Sequence, residues 1–470
     1  MSSKSSAGAL DRRSFLAGSL AGAALPLSAA RAADPAFANG VKIGEVTPTS
    51  ALVWTRLTAG PRNETGEEFK GTIQGNNVRP EPPNPDVLRG ACLGAKGRVR
   101  IRYGDSAELN GATPGDWKAV GPERDSTAQF RLEGLKPSTR THFRVESEAG
   151  GSISGQFRTA PDPDASENIR LCVLTCQMYA DLDDPAGFHI YPAISQLDPR
   201  CVVFTGDNVY YDNEEPRAVT ARIARYHWER MYSLPRHVEM LRGVATCWEK
   251  DDHDVLRDDC GPSTGPMGRF TFAEGQEIYR QQVPLEGSSY RTFRWGRHLQ
   301  IWLTDGHDFR SPNRMADGPE KSIWGREQKA WLMRTLQESP ATWKLLISPT
   351  PLVGPDRPNK NDNHSNIGFA HEGREFRAWA AKTLGKRFFN LCGDRHWQYH
   401  SVDPDTGLNE FSVGPASDEH AAGTPGEDRR YHRFHRVKGG FLSVDVEPNA
   451  IHFRHRDVHG REVYAWSERL

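Results

Sequence analysis

The chain has 470 residues, more than one small hydrophobic core organises, so two domains are expected. Its 60 Lys and Arg nearly cancel its 61 Asp and Glu, which removes any global electrostatic reason to bind nucleic acid or an anionic membrane, and no nucleic-acid-binding domain is evident. Seven scattered cysteines lack the dense, even spacing of a disulfide framework, and beyond the first thirty residues no apolar run approaches the roughly 20 residues needed to span a bilayer.

The chain opens on Arg12-Arg13-Ser14-Phe15-Leu16, followed by a mildly apolar Ala/Gly-rich stretch ending at Ala30-Arg31-Ala32. Residues 1–32 resemble a bacterial twin-arginine export signal cleaved after about Ala32. That reading makes the twin-arginine export machinery a partner. It places the mature chain in the periplasm, outside the cell or at the cell surface, without a transmembrane span.

Residues 33–160 lack helical periodicity and instead carry short alternating runs: Ser50–Thr55, Arg98–Tyr103, Gln129–Leu132 and Thr141–Val145. With Gly and Pro turns between them they predict a small β-sandwich, interrupted by a long loop over Gly60–Arg89. Pro161-Asp162-Pro163-Asp164 reads as a stiff linker.

From residue 165 to 470 the texture changes. Apolar strands at Leu171–Leu174, Cys201–Phe204, Val244–Trp248 and Phe388–Cys392 alternate with helical segments at Ala218–Met231 and Gly325–Glu338, and strands close the chain at Gly440–Val446 and Ala450–Arg454. In the second helix Gln328, Trp331, Leu332 and Leu336 share one face. The pattern predicts a layered α/β (α+β) domain with mixed sheets.

Four of these strands run into metal-binding side chains: Thr175-Cys176-Gln177, Gly206-Asp207-Asn208-Val209-Tyr210, Asp251-Asp252-His253-Asp254 and Gly393-Asp394-Arg395-His396. The carboxyl ends of strands are where α/β sheets build sites, and the four together read as a dinuclear metal centre. Asp207 has two oxygens and can bridge two cations. Tyr210 is a rare ligand that favours ferric iron, because a hard trivalent ion can hold a phenol of ordinary pKa about 10 deprotonated. Three acids and an imidazole in four residues repel one another unless a cation compensates them, and His253 then stands where it can protonate a leaving oxygen. Asp394 and His396, two apart, point to one side of an extended segment. Cys176 is equally at home as a buried structural cysteine or as a thiolate on iron, and a carboxylate-rich partner position suits calcium, magnesium or manganese. The polar, Pro-bounded loop Arg357–His364 is expected above the site, with Lys360, Asn363 and His364 as candidate phosphate-binding residues.

Taken as a set, these motifs resemble the PhoD-type alkaline phosphatases of the metallophosphoesterase superfamily, with Phe293–Gly296 and Gly325–Gln328 as further matches. Phe37–Val41 through Val53–Leu57 is similar to the opening of the family's N-terminal fibronectin-like domain. The resemblance implies ferric iron held by Cys176, Asp207, Tyr210 and His396, with Asp207 shared with a second divalent metal, commonly calcium, that Asp252 and Asp394 also bind. Asp207 and His253 are the expected catalytic residues. The reaction it implies is direct hydrolysis of phosphate monoesters or diesters by a metal-activated hydroxide. Alternatives are a phosphodiesterase or phospholipase D-like enzyme on the same metals, or a non-catalytic exported binding protein. A monomer is expected. Two departures stand out: Asp258-Asp259 replaces the family's Asn-Asp or Asn-Asn, and Leu303–Arg310 replaces its Leu-Asp-Thr-Arg.

Overall fold

The computed structural model describes residues 35–69 and 84–470, so the stretch expected to be an export signal (1–32) and much of the Gly60–Arg89 loop lie outside the described residues. Among the described residues, three sheets and six α-helices carry the fold.

The first sheet has nine strands. At its centre Ile169–Leu174, Cys201–Thr205 and Ala245–Glu249 run parallel, and all but Arg170 of these residues are buried. Strands that hide both faces must be apolar throughout, which is why they read as continuous runs rather than alternating ones. Phe441–Val446, Ala450–Arg456 and Glu462–Arg469 extend the sheet antiparallel on one side. A second, seven-stranded sheet is built around Leu299–Leu303, Trp343–Ser348 and Phe388–Cys392, again parallel.

The two sheets pack face to face. Leu171, Val173, Val203 and Cys247 of the first meet Ile301, Leu345, Ile347 and Leu391 of the second in one core. The alternate residues Leu174, Val202, Phe204 and Trp248 point the other way, onto the helices Ala221–Tyr232 and Phe272–Gln282. On the outer face of the second sheet Trp302, Leu346 and Phe388 pack under the helices Gly325–Glu338 and Ala370–Thr383. The result is helix, sheet, sheet, helix in four layers.

The helices begin where capping chemistry places them. Thr220 accepts from Ile223 N–H at the start of Ala221–Tyr232, three residues later than the apolar pattern alone suggests, and Thr271 with Glu274 forms a reciprocal capping box. Gly325–Glu338 has the expected bounds, and Gln328 is buried because its amide donates to the Asp305 carbonyl while accepting from Asp305 N–H.

The described residues from 35 to 160 contribute to two packed sheets, one of which is not their own. Gly97–Gly104, Arg140–Ser147 and Ser152–Arg158 make a separate five-stranded sheet with two short strands. Opposite them, Val41–Gly44, Ser50–Arg56 and Thr127–Glu133 join the nine-stranded sheet through Val41–Gly44, which pairs parallel with Ala245–Glu249. Period-two alternation reports which face a strand buries and not which strand it pairs with, so this junction was invisible in the sequence. Buried Arg56 reinforces it, binding Asp125 at 2.9 Å and Glu229 of the Ala221–Tyr232 helix at 3.0 Å.

Candidate metal centre

The ends of four central strands deliver the side chains singled out above. In the nine-stranded sheet Ile169–Leu174 leads to Cys176, Cys201–Thr205 to Asp207 and Tyr210, and Ala245–Glu249 to Asp251–Asp254; in the other sheet Phe388–Cys392 leads to Asp394 and His396. Glycines let these ends touch. A Cβ on Gly393 would stand 2.3 Å from the Thr205 carbonyl oxygen and 2.7 Å from Thr175 Oγ1, and one on Gly206 would stand 2.6 Å from Asp251 Cβ. Cys176, Asp207 and Asp394 adopt left-handed backbone, with φ of 51°, 51° and 59°. That conformation costs a non-glycine residue about 1–2 kcal/mol, and three instances at equivalent strand ends mark a place where geometry is imposed by its surroundings.

The side chains converge in two sets that share Asp207. Ligand atoms of Cys176, Asp207 and His396 lie within 4.8 Å of one another, as do those of Asp207, Asp252 and His253. Cys176 Sγ is 3.4 Å from Asp207 Oδ2, and the Tyr210 hydroxyl is 3.0 Å from the same oxygen and 3.4 Å from His396 Nε2. A third acidic set, Asp252, Asp258 and Asp259, is more exposed. Asp394 belongs to none of these sets; its carboxylate is engaged by the neighbouring Arg395 guanidinium.

Asp254 fastens the two acidic loops together. One of its oxygens accepts from the backbone N–H groups of Asn208 (2.8 Å) and Val209 (3.1 Å), the other from Asp251 N–H (2.9 Å) and from Asn208 Nδ2 (3.1 Å). The third acid of the Asp251–Asp254 cluster is therefore a structural clamp.

A cation fits this donor set. Asp207 Oδ1, Asn208 Oδ1 and Asp251 Oδ2 are buried acceptor atoms with no hydrogen-bond donor, an arrangement that is costly in a dry interior unless a positive charge meets it. Titration points the same way. Burial, reinforced by Asp251 and Asp252, pushes the Asp207 carboxyl well above its ordinary range, and burial with Asp207 nearby raises both the Cys176 thiol and the Tyr210 phenol. Burial and His420 hold the His396 imidazole neutral. Each group is ready to ligate and is short of the positive charge that would ionise the acids.

Three further residues join the site that the sequence did not single out. Asp212 Oδ1 sits 2.6 Å from His253 Nδ1. Burial opposes charge on His253, but Asp212, Asp252 and Asp207 outweigh it and raise the imidazole well above its ordinary value. His420 Nε2 lies 3.0 Å from the Tyr210 hydroxyl, its ring centroid is 4.1 Å from that of His396, and its Nδ1 is 2.8 Å from Asp181. His307 Nε2 is 2.5 Å from Asp251 Oδ1. Asp212 was detectable as the next acid after Tyr210. His420 follows no strand and left no signal beyond being one histidine in a polar loop.

The loop residues expected to hold phosphate divide. Lys360 reaches the acidic edge, 2.6 Å from Asp259 and 3.4 Å from Asp258. Asn363 and His364 are turned inward and do not present themselves to the site: Asn363 Nδ2 donates to Asp356, and His364 Nε2 pairs with Glu372 at 2.9 Å beside Trp324. Both are fully buried, Asn363 against Asp356 and His364 against Glu372 of the Ala370–Thr383 helix.

Convergent acid, thiol, phenol and imidazole donors at the joined ends of two packed sheets define a candidate polynuclear metal centre. The chain belongs to the PhoD-like phosphatases: the family's N-terminal domain matches residues 21–161 and its main domain residues 267–449. Alkaline phosphatase D from Bacillus subtilis (strain 168) is 23% identical over 391 residues; the match takes in 72% of this chain and 62% of that protein. A solved structure of PhoD superposes with a TM-score of 0.70 at 17% identity, covering 93% of this chain and 89% of the other. A purple acid phosphatase from yellow lupin (Lupinus luteus) seeds superposes with a TM-score of 0.61 at 12% identity, over 91% and 73%. Cys176 through Asp254 fall between the two family matches, so their roles rest on the geometry above.

Proposed function

We propose that this chain is a metal-dependent hydrolase of phosphate esters, exported by the twin-arginine route, with a fibronectin-like N-terminal region and a metallophosphoesterase catalytic domain. The observation that carries the reading is that Asp207 belongs to both convergent ligand sets, as a bridging carboxylate must. The Bacillus relative's name supports the same chemistry. Cys176, Tyr210 and His396 would hold ferric iron with Asp207, and Asp252 with Asp394 would hold a second divalent ion, calcium being the candidate; Asp394 would have to exchange Arg395 for the metal. When bound, such ions polarise phosphate oxygens and lower the pKa of water.

The chain's own residues supply the proton and the orientation. Asp212 fixes the His253 ring through Nδ1 and favours its charged form, leaving Nε2, 4.0 Å from Asp252 and Asp258, to donate a proton to the departing alkoxide. Lys360 offsets the acidic edge at Asp258 and Asp259, which would otherwise repel an incoming phosphate.

Metal analysis of the purified protein, alongside hydrolysis of a monoester and a diester, tests the reading and ranks the two substrate classes. Asp207→Asn should lower both activities by more than about a hundredfold and reduce the metal content. An active, fully loaded Asp207→Asn protein removes the bridging role.

A further inference from the structure

Beside the acidic edge opens a cleft of about 290 Å3, at the small end of the roughly 300–1,000 Å3 usual for ligand pockets, lined by Arg257, Arg310 and Arg314 with Thr264, Ser311 and Asp259. Arg310 comes from the Leu303–Arg310 segment that departs from the family pattern. Its charge balance is unusual. The side chains of Arg257 and Arg314 have no carboxylate or hydrogen-bond partner among the described residues, and Arg310, 5% exposed, leaves its buried Nε without an acceptor. Arg310 is otherwise held in place: one terminal nitrogen donates to the Asp362 carbonyl, and its stem packs on Gly261, where a Cβ would stand 2.9 Å away. The cleft's carboxylate, Asp259, is already bound by Lys360 at 2.6 Å. The Arg310 guanidinium is turned inward, onto the Asp362 carbonyl, His307 Nδ1 at 3.4 Å and the Phe369 ring, so its stem forms part of the wall while the unpartnered side chains of Arg257 and Arg314 stand at a space too small for a protein and lined by hydroxyls, which is the chemistry that receives a phosphate dianion.

The cleft adjoins the metal centre through Asp259. Asp259 forms its wall, and Asp259 N–H donates to Asp252 Oδ2 at 2.5 Å, the carboxylate assigned above to the second metal. We propose that the arginine cleft is a subsite for a second phosphate of the substrate, so that the preferred substrates are organic esters bearing two phosphoryl groups, one placed at the metals and the other on Arg257 and Arg314. This rests on the hydrolase reading for the first phosphate only.

Titration calorimetry of the metal-loaded protein with methylenediphosphonate and methylphosphonate, neither of them hydrolysable, tests the subsite apart from turnover. The diphosphonate should bind at least about tenfold more tightly, as one added charge-assisted contact allows, and Arg257→Gln with Arg314→Gln, both away from the core, should erase most of that margin. A wild-type protein without the margin, or a double variant that keeps it, overturns the subsite. Equal loss of both ligands in the double variant overturns it too, because the cleft would then take any free phosphate. A margin lost on substitution in a protein that hydrolyses no ester would leave the subsite standing and remove the hydrolase reading; ester hydrolysis with an unaffected margin would do the reverse.

Discussion

At the scale of single residues, His253 depends on Asp212 in a way that separates orientation from metal binding. The 2.6 Å contact fixes the ring and favours its protonated form, while Asp212 belongs to neither ligand set. Asp212→Asn keeps the volume and loses the charge, so it should load metal normally and lower kcat by about 10- to 100-fold. The loss should be larger for alkyl phosphates than for p-nitrophenyl phosphate, because a good leaving group needs less help from a proton. Equal losses on both substrates would leave Asp212 a purely structural role. The Arg395 contact with Asp394 sets a similar choice between protein and metal, since one carboxylate cannot satisfy a guanidinium and a cation in the same geometry.

Strand ends decide how much of the site was legible. Asp207, Tyr210, Asp252 and His396 could be read because each directly follows an apolar strand, and a sheet brings strand ends together whatever the pairing order. His307 also follows a strand end, Leu299–Leu303, but lies in a segment whose approach to Asp251 no local pattern encodes, and His420 arrives on a long loop whose path depends on packing. Asp254 was legible as an acid, but its clamp role requires knowing that Asn208, Val209 and Asp251 surround it. Asn363 and His364 were misplaced for the related reason that composition marks a loop as polar without saying which side faces inward. The same element geometry makes the glycine at the sheet junction hard to replace. Gly393→Ala sets a methyl 2.3 Å from the Thr205 carbonyl, backbone against backbone, so the two sheets' ends must separate. Thermal denaturation should show a loss of about 1–3 kcal/mol, accompanied by a lower metal content. Unchanged metal content would mean that the ligands tolerate such a separation.

For the molecule as a whole, the two large sheets hold each other through buried polar contacts as well as the apolar core, and those contacts carry a pH dependence. His455 on Ala450–Arg456 of the nine-stranded sheet places Nε2 2.9 Å from the Ser412 carbonyl of the seven-stranded sheet, which requires a proton on that nitrogen and leaves Nδ1 buried and bare. His400, on Gln398–Val402, stacks on Phe411 in the same junction. Burial lowers His455 to about 3 and His400 to about 4, against roughly 6.5 in an unfolded chain. Both folded values lie below the unfolded one, so the stabilisation is complete above about pH 6.5. As pH falls below that point the unfolded chain takes up protons that the folded chain refuses, and stability drops by about 1.4 kcal/mol per pH unit for each histidine until its folded pKa is reached. Urea denaturation between pH 7.5 and 4.5 should therefore show a steep acid limb. His455→Phe, which forfeits the Ser412 contact, should be less stable than the wild type at pH 7.5 and should lose about 1.4 kcal/mol per pH unit from the slope below 6.5. An acid limb of undiminished slope in that variant would place the pH sensitivity elsewhere than at the junction of the two sheets.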